Sequence, residues 1–310
     1  MNAHLGIDIG GSAIKIGVID AEGHILLSDR MPIDLTSREA TVGCIVACVQ
    51  KLTDWCGRAG HKPLSVGVGS PGTIDRHTGM VQPPTPNVTT IIGVDFVDVI
   101  TRATGLPTAV DNDANCAAWA EHRYGAGRGI NNLICMTVGS GIGSGFIVDG
   151  RIFSGSSGAG GELGHVSIEH DGPRCGCGNR GCLELYTSTT AIVRAANDAS
   201  GANGKRTIAD LFDSARRGDS GANEVIEQRA AMLGIGLVNA INLFDPEAVI
   251  IGGGIADVDT DGRFVRAVAK SIHALAFSES GKHLPVAKAA LGNDAGFIGA
   301  ASLGASLVTA

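Results

Sequence analysis

The feature that most restricts the fold is a unit that occurs twice: a strand, a glycine turn and a returning strand. In the first half, His4–Ile9 reads as a strand, Gly10-Gly11-Ser12 as the turn and Ala13–Asp20 as the return. A third strand, His24–Arg30, follows the turn Ala21-Glu22-Gly23, so the chain opens as an antiparallel meander. In the second half, Leu133–Val138 leads through Gly139-Ser140-Gly141-Ile142-Gly143 into Ser144–Val148. Two copies of one unit predict two related α/β domains with a cleft between them, where ligands tend to bind.

The intervening segments fit that plan. A helix is expected from about Arg38 to Arg58. Thr36 with Glu39 matches a capping box, and Val42, Ile45, Val46, Val49 and Leu52 recur at helical spacing. Ser65–Gly69 and Thr108–Val110 read as buried strands. Helical segments are expected from Thr189 to about Leu243, then a buried strand at Ala248–Ile251 ending in Gly252-Gly253-Gly254. A last helix covers about Phe297–Leu307.

The chain has 310 residues, 44 % of them hydrophobic, which is enough for two cores. The formal net charge of −7 argues against a nucleic-acid partner, which calls for a basic stripe. Neither a signal-peptide pattern nor a run of about 18 apolar residues occurs, so no membrane partner is expected and the cytoplasm is the expected location. In that reducing compartment the eight cysteines are expected as thiols or metal ligands rather than disulfides.

Glycines beside strands admit two readings. In Asp8-Ile9-Gly10-Gly11-Ser12 the missing Cβ atoms let backbone N–H groups approach a polyanion, and the serine adds a donor. Asp8 would hold Mg²⁺ directly or through water, and Lys15 would reach a phosphate. The plainer reading is a hairpin turn. A second such loop, Gly139–Gly143, tips the balance towards phosphate clamping. Rival motifs fail: Gly204-Lys205-Arg206 and Gly281-Lys282-His283 lack the Walker ending. The G-x-G-x-x-G matches at Gly67, Gly69, Gly72 and at Gly176, Gly178, Gly181 lack the strand-to-helix context of a dinucleotide site.

His165, Cys175, Cys177 and Cys182 fall within 18 residues as His-x9-Cys-x-Cys-x4-Cys. Three thiolates and one imidazole make a closed tetrahedral set suited to structural Zn²⁺, and the interleaved glycines allow the sharp turns. Unligated thiols and an iron–sulfur site are the alternatives. Cys44, Cys48, Cys56, Cys116 and Cys135 sit among apolar or small neighbours and are expected as small core residues. Asp111-Asn112-Asp113 ends a strand and starts a helix. An aspartate there serves either as a helix cap or as a general base. Glu162 and Glu184 flank the cysteine cluster, placed to grip a polar ligand.

These residues together resemble the ROK (repressor, open reading frame, kinase) family of sugar kinases, most closely its glucokinases. The resemblance spans essentially the whole chain. Its markers are Asp8-Ile9-Gly10-Gly11-Ser12, Asn112-Asp113-Ala114-Asn115, Gly161-Glu162-Leu163-Gly164-His165 and the run Cys175–Glu184. It implies two actin-like, ribonuclease-H-like ATPase domains with an interdomain cleft. The smaller would comprise residues 1–110 plus about 296–310, and the larger residues 111–295 with the zinc-binding loop.

By the same resemblance, ATP with Mg²⁺ lies across Asp8, Gly10, Gly11, Ser12, Lys15, Gly139, Ser140, Gly141 and Gly143. Gly253 and Gly254 lie near the adenosine. Asp113 is the implied base for the sugar 6-hydroxyl. Gly72, Asn87, Asn112, Glu162, His165 and Glu184 complete the sugar pocket, and Glu162 favours a glucose-type substrate. Ser12 stands where Thr is more frequent and keeps the hydroxyl. A homodimer or homotetramer is the family's usual assembly. The alternatives are a kinase for another sugar (N-acetylmannosamine, N-acetylglucosamine, allose or fructose), polyphosphate as donor, or a non-catalytic sugar-sensing regulator. For the last, Asp8 lies too near the start to leave room for a helix-turn-helix. A zinc hydrolase is disfavoured because four protein ligands leave no position for water.

Overall fold

The computed structural model describes residues 1–75, 78–85, 88–200 and 206–308. The first half runs β1 (Asn2–Ile9), β2 (Ile14–Ile19), β3 (Ile25–Met31), α1 (Arg38–Ala59), β4 (Lys62–Ser70), β5 (Thr73–Ile74), β6 (Val81–Gln82), α2 (Phe96–Thr104), β7 (Thr108–Asn112) and α3 (Asp113–Tyr124). The second continues with β8 (Leu133–Val138), β9 (Ile142–Val148), β10 (Arg151–Ile152), α4 (Glu184–Thr187), α5 (Thr189–Ser200), α6 (Ile208–Arg216) and α7 (Ser220–Phe244). It closes with β11 (Ala248–Gly252), α8 (Gly254–Val258), α9 (Arg263–Leu275), α10 (Glu279–Lys282), β12 (Val286–Lys288) and α11 (Ala295–Ser306).

The repeat seen in the sequence is a repeat of topology. One sheet has the order β3-β2-β1-β4-β7 and the other β10-β9-β8-β11-β12. In each, three meander strands pair antiparallel and two further strands add in parallel. The parallel strands need crossovers, which the helices supply.

Alternation along the strands decides what covers each face. On β1, Ala3, Leu5, Ile7 and Ile9 are fully buried and share a core with Ile45, Cys48, Val49, Leu52 and Cys56 of α1. The opposite face carries His4, Gly6 and Asp8. Small residues recur there on neighbouring strands, because α11 lies directly on the backbone. A Cβ at Gly6 would stand 2.0 Å from the Phe297 carbonyl oxygen, and one at Gly67 only 1.6 Å from that of Ala300. The second sheet repeats the device. Gly145 of β9 would bring a Cβ within 2.5 Å of Ala118 on α3.

The two helices are therefore exchanged. α3 ends the first half yet packs on β8 and β9, while α11 ends the second half and packs on β1, β2, β4 and β7. They also pack on each other, and Gly299 abuts the Cys116 carbonyl at their crossing.

Several local expectations are corrected. The N-cap of α1 is Ser37, whose side chain accepts from the Ala40 N–H. Thr36 is instead held by Asp34, to which it donates from both its backbone and its hydroxyl. β9 starts at Ile142, so the second glycine turn spans 139–141 and Gly143 lies within the strand. β7 runs on to Asn112, beyond the expected Val110. α2, α9 and β12 carried no sequence expectation. Cys48, Cys56, Cys116 and Cys135 are buried as expected, and Cys44 is half-buried at the same core. Burial pushes the Cys48 thiol up to about 12, as suits an inert core residue.

Candidate active site

The first glycine turn is closed by the Gly10 N–H donating to the Ala13 carbonyl at 3.0 Å. Its hairpin register pairs Asp8 with Lys15 across the strands. The Asp8 carboxylate lies against the start of α11, where a Cβ at Gly296 would stand 2.4 Å from it. Burial raises the Asp8 pKa, with Lys15 opposing. Lys15 donates to the Asn293 carbonyl at 2.8 Å, and Asn293 donates to Asp257 at 2.7 Å. That chain links the first turn to α8 of the second half. Ser12 accepts from Arg30 at 3.3 Å.

At the start of α3 the structure identifies the cap. The cap is Asn112: its Oδ1 accepts from the N–H groups of Ala114 (2.8 Å) and Asn115 (3.3 Å). Its Nδ2 donates to the Gly72 carbonyl at 3.0 Å, tying the β4–β5 connection to the helix start. Gly72 sits at φ +87°, and a Cβ there would stand 2.4 Å from the Thr85 methyl. Asp113 is thus the first residue of the helix rather than its cap. Its carboxyl is pushed up to about 7 by burial first, then by Asp8 and Glu162, while the Ala114 N–H opposes. Three carboxylates from three segments therefore converge, and their mutual repulsion favours a held proton.

The second glycine turn is braced from below. Gly139 N–H donates to the Gly141 carbonyl at 2.9 Å. The Glu184 carboxylate accepts from the Ile142 N–H at 2.9 Å and lies where a Gly141 side chain would begin. Thr189 donates to the Gly139 carbonyl through both its N–H and its hydroxyl, each at 2.8 Å. Thr190 donates to the Ser140 carbonyl at 3.2 Å. Gly253, at φ +77°, brings the third glycine run against Val138, where a Cβ would stand 2.6 Å from the backbone nitrogen. Gly254 faces open space. Gly143 has a packing reason of its own: a Cβ there would meet the Thr137 hydroxyl and the Ala114 methyl.

Glu162 and His165 flank a short 3-10 turn, Leu163–His165. Ser144 anchors that turn to β9: its hydroxyl accepts from the Leu163 N–H at 3.0 Å and donates to the Gly161 carbonyl. Burial raises the Glu162 pKa, His165 lowers it and Glu184 adds a smaller upward push. His165 and Glu184 are thus close enough to Glu162 to act on its charge. Asn87 lies outside the described residues.

The four expected metal ligands come together with one donor atom each, all within 4.8 Å of one another. Cys177 Sγ and Cys182 Sγ are 3.6 Å apart, and Cys175 Sγ is 3.7 Å from His165 Nδ1. A tetrahedral zinc with ~2.3 Å bonds to sulfur has ligand edges of about 3.8 Å, so the donor set fits that ion. Nδ1 faces the sulfurs, which leaves Nε2 free to face elsewhere.

Ser144, Thr189, Thr190 and Asn293 brace the site without having been singled out from the sequence. Hydroxyls are common beside turns, and only the fold reveals which carbonyl each one holds.

Two sheets of one topology, with glycine turns, carboxylates and a cysteine-rich loop gathered between them, define a two-domain α/β protein with a polar interdomain cleft. A sequence model of the ROK family matches residues 4–306, and the chain belongs to that family. It is 36 % identical to a glucokinase of Streptomyces coelicolor, with 98 % of each chain covered. The crystal structure of a ROK family glucokinase from Streptomyces griseus in complex with glucose and AMPPNP shares 34 % identity. It covers 98 % of this chain and 99 % of its own at a TM-score of 0.85. The ROK hexokinase from Thermus thermophilus shares 32 % identity, covers 99 % of both chains and gives 0.82. The fold is the pair of actin-like domains of these structures. No described helix is long and apolar enough to cross a membrane.

Proposed function

We propose that the chain is an ATP-dependent hexose kinase acting on the sugar 6-hydroxyl, with glucose favoured. One observation carries the reading: Asp113, which follows the cap Asn112, holds a buried carboxyl with a pKa near neutrality beside Asp8 and Glu162. A general base works best with its pKa near the operating pH. Asp113 takes the hydroxyl proton, the oxygen attacks the γ-phosphorus, and the bond to the bridging oxygen of the leaving ADP breaks. Gly11, Ser12, Ser140 and Gly141 present donors to the phosphates, Gly10 and Gly139 close the two turns with their own N–H groups, and Gly253 and Gly254 border the adenosine. Asp8 holds Mg²⁺, which supplies charge neutralisation. Lys15, bonded to Asn293, ties the first hairpin to the second half of the chain and neutralises nearby phosphate charge.

Gly72, Asn87, Asn112, Glu162, His165 and Glu184 hold the remaining hydroxyls. The glucose complex of the Streptomyces griseus relative and the presence of Glu162 support glucose. Zinc at His165, Cys175, Cys177 and Cys182 stiffens the loop between Glu162 and Glu184, and His165 Nε2 faces the sugar. The smaller domain comprises residues 1–110 plus about 296–310, the larger residues 111–295. The test is a coupled ADP-release assay over a panel of hexoses, with ATP and with polyphosphate. Turnover confined to ATP and highest kcat/KM with glucose are expected. Absence of turnover with every sugar sinks the reading in favour of a sugar-sensing regulator.

A further inference from the structure

α4 carries Glu184 and Tyr186, two residues apart and so about 200° apart around a helix. Glu184 turns to the second glycine turn. Tyr186 lines a separate cavity of about 240 Å³, together with Pro173 of the cysteine-rich loop, Arg194 and Asp198 of α5, and Arg229 of α7. Tyr186 is 9 % exposed, and its buried hydroxyl has only the Glu169 carboxylate beside it, with no hydrogen bond of good geometry. Among the described residues the buried Nε of Arg229 has no hydrogen-bond partner, and its Nη1 has only the Met232 sulfur at 3.5 Å.

The Asp198 carboxylate lines the same cavity and the Glu169 carboxylate lies beside Tyr186. Among the described residues neither arginine forms an ion pair, although Asp198 follows Arg194 by one turn. Arg194 spends one N–H on the Leu185 carbonyl at 3.0 Å, and the rest of its fork stays available. Burial lowers the Arg229 pKa, and the neighbouring Arg194 adds to that.

We propose that Tyr186, Arg194 and Arg229 form a binding site for a phosphate group, free or carried by a small monoester. Two guanidinium forks and a phenol offer more donors and more charge than a monocarboxylate can satisfy. Burial and then the nearby Glu169 carboxylate push the Tyr186 hydroxyl up to about 12, so it stays a donor at neutral pH. The cavity is smaller than the ~300–1,000 Å³ that drug-sized ligands occupy, which excludes a nucleotide. An occupant presses on the turn that also carries Glu184, so it alters sugar affinity; this second part rests on the kinase reading.

The test titrates the zinc-loaded protein, saturated with AMPPNP and Mg²⁺, with inorganic phosphate and separately with glycerol 3-phosphate, by calorimetry. One site is expected. Tighter glycerol 3-phosphate assigns a monoester, and tighter phosphate assigns the free ion. Arg194→Gln, on the surface, and Arg229→Gln should each weaken binding tenfold or more, and Tyr186→Phe less. No binding of either probe, affinity unchanged in both arginine variants, or acetate binding as tightly as phosphate overturns the site. Calorimetry reads binding without turnover, so the site stands or falls independently of the kinase reading. For the second part, phosphate should shift the sugar KM of the parent and not of Arg194→Gln. An unshifted KM with phosphate bound overturns the link through α4.

Discussion

At the scale of single residues, Asp113 has the clearest consequence. Its ordinary pKa is 3.8 and its folded value about 7, so the native state holds the proton more tightly than the unfolded chain does. The stability that this protonation contributes is complete below about pH 4 and lost as pH rises through about 7. A shift of that size is worth on the order of 4 kcal/mol. Asp113→Asn keeps a neutral side chain at every pH. Denaturant melts should therefore find it close to the parent at pH 4 and more stable at pH 8. It should still bind sugar but have almost no turnover, since the proton acceptor is gone. The parent's kcat/KM should climb between pH 6 and 8 as the base ionises. A flat profile there, or parent-like turnover in the variant, refutes the assignment. Which of Asn112 and Asp113 caps the helix was undecided in the sequence, because either residue type does so. Both accept from the Ala114 N–H, and only the backbone geometry with the further bond from the Asn115 N–H marks Asn112 as the cap.

At the scale of elements, the cysteine-rich loop and the helix crossing invite separate tests. The loop is rich in glycine and gathers three thiols and an imidazole at one point, so a bound metal would clamp it. Chelation with a strong zinc ligand should lower the Tm, abolish turnover and free the Cys175, Cys177 and Cys182 thiols to a colorimetric reagent. Readdition of zinc should restore all three, and unchanged activity in verified metal-free protein would refute the role. At the crossing, a Cβ on Gly299 would stand 1.7 Å from the Cys116 carbonyl. Gly299→Ala should therefore destabilise by roughly 1–3 kcal/mol or more, as overpacking does, which denaturant melts can measure. Strands were readable because alternation or a short apolar run bounded by glycine is a local signal. α9 was not, although Phe264, Val265, Val268 and Ile272 form its buried face: no sharp cap or run announces it. The glycine excess was readable as turns. Its second meaning, a floor for helices lying on sheets, depends on which helix arrives there and leaves no local trace.

At the scale of the whole molecule, the exchanged helices make each sheet depend on the other half of the chain. The Glu121 carboxylate strengthens that dependence. It is 1 % exposed and accepts from the N–H groups of Ala126 (2.8 Å), Ala290 (3.1 Å) and Leu291 (2.8 Å), joining the end of α3 to the approach to α11. A chain cut after residue 294 keeps every strand of the first sheet and loses only the helix that covers Gly6, Gly17 and Gly67. It should be expressed as insoluble protein, and α11 supplied as a separate peptide should recover part of the soluble fraction; a soluble, cooperatively melting truncation would refute the dependence. The exchange also bears on how the protein is made. β1 leaves the ribosome long before α11, the helix that covers it. At ~5–20 residues per second, the nascent first sheet waits roughly 15–60 s with one face open. During that interval the emerging polypeptide is a candidate client for chaperones, although the finished protein conceals the surface they would hold.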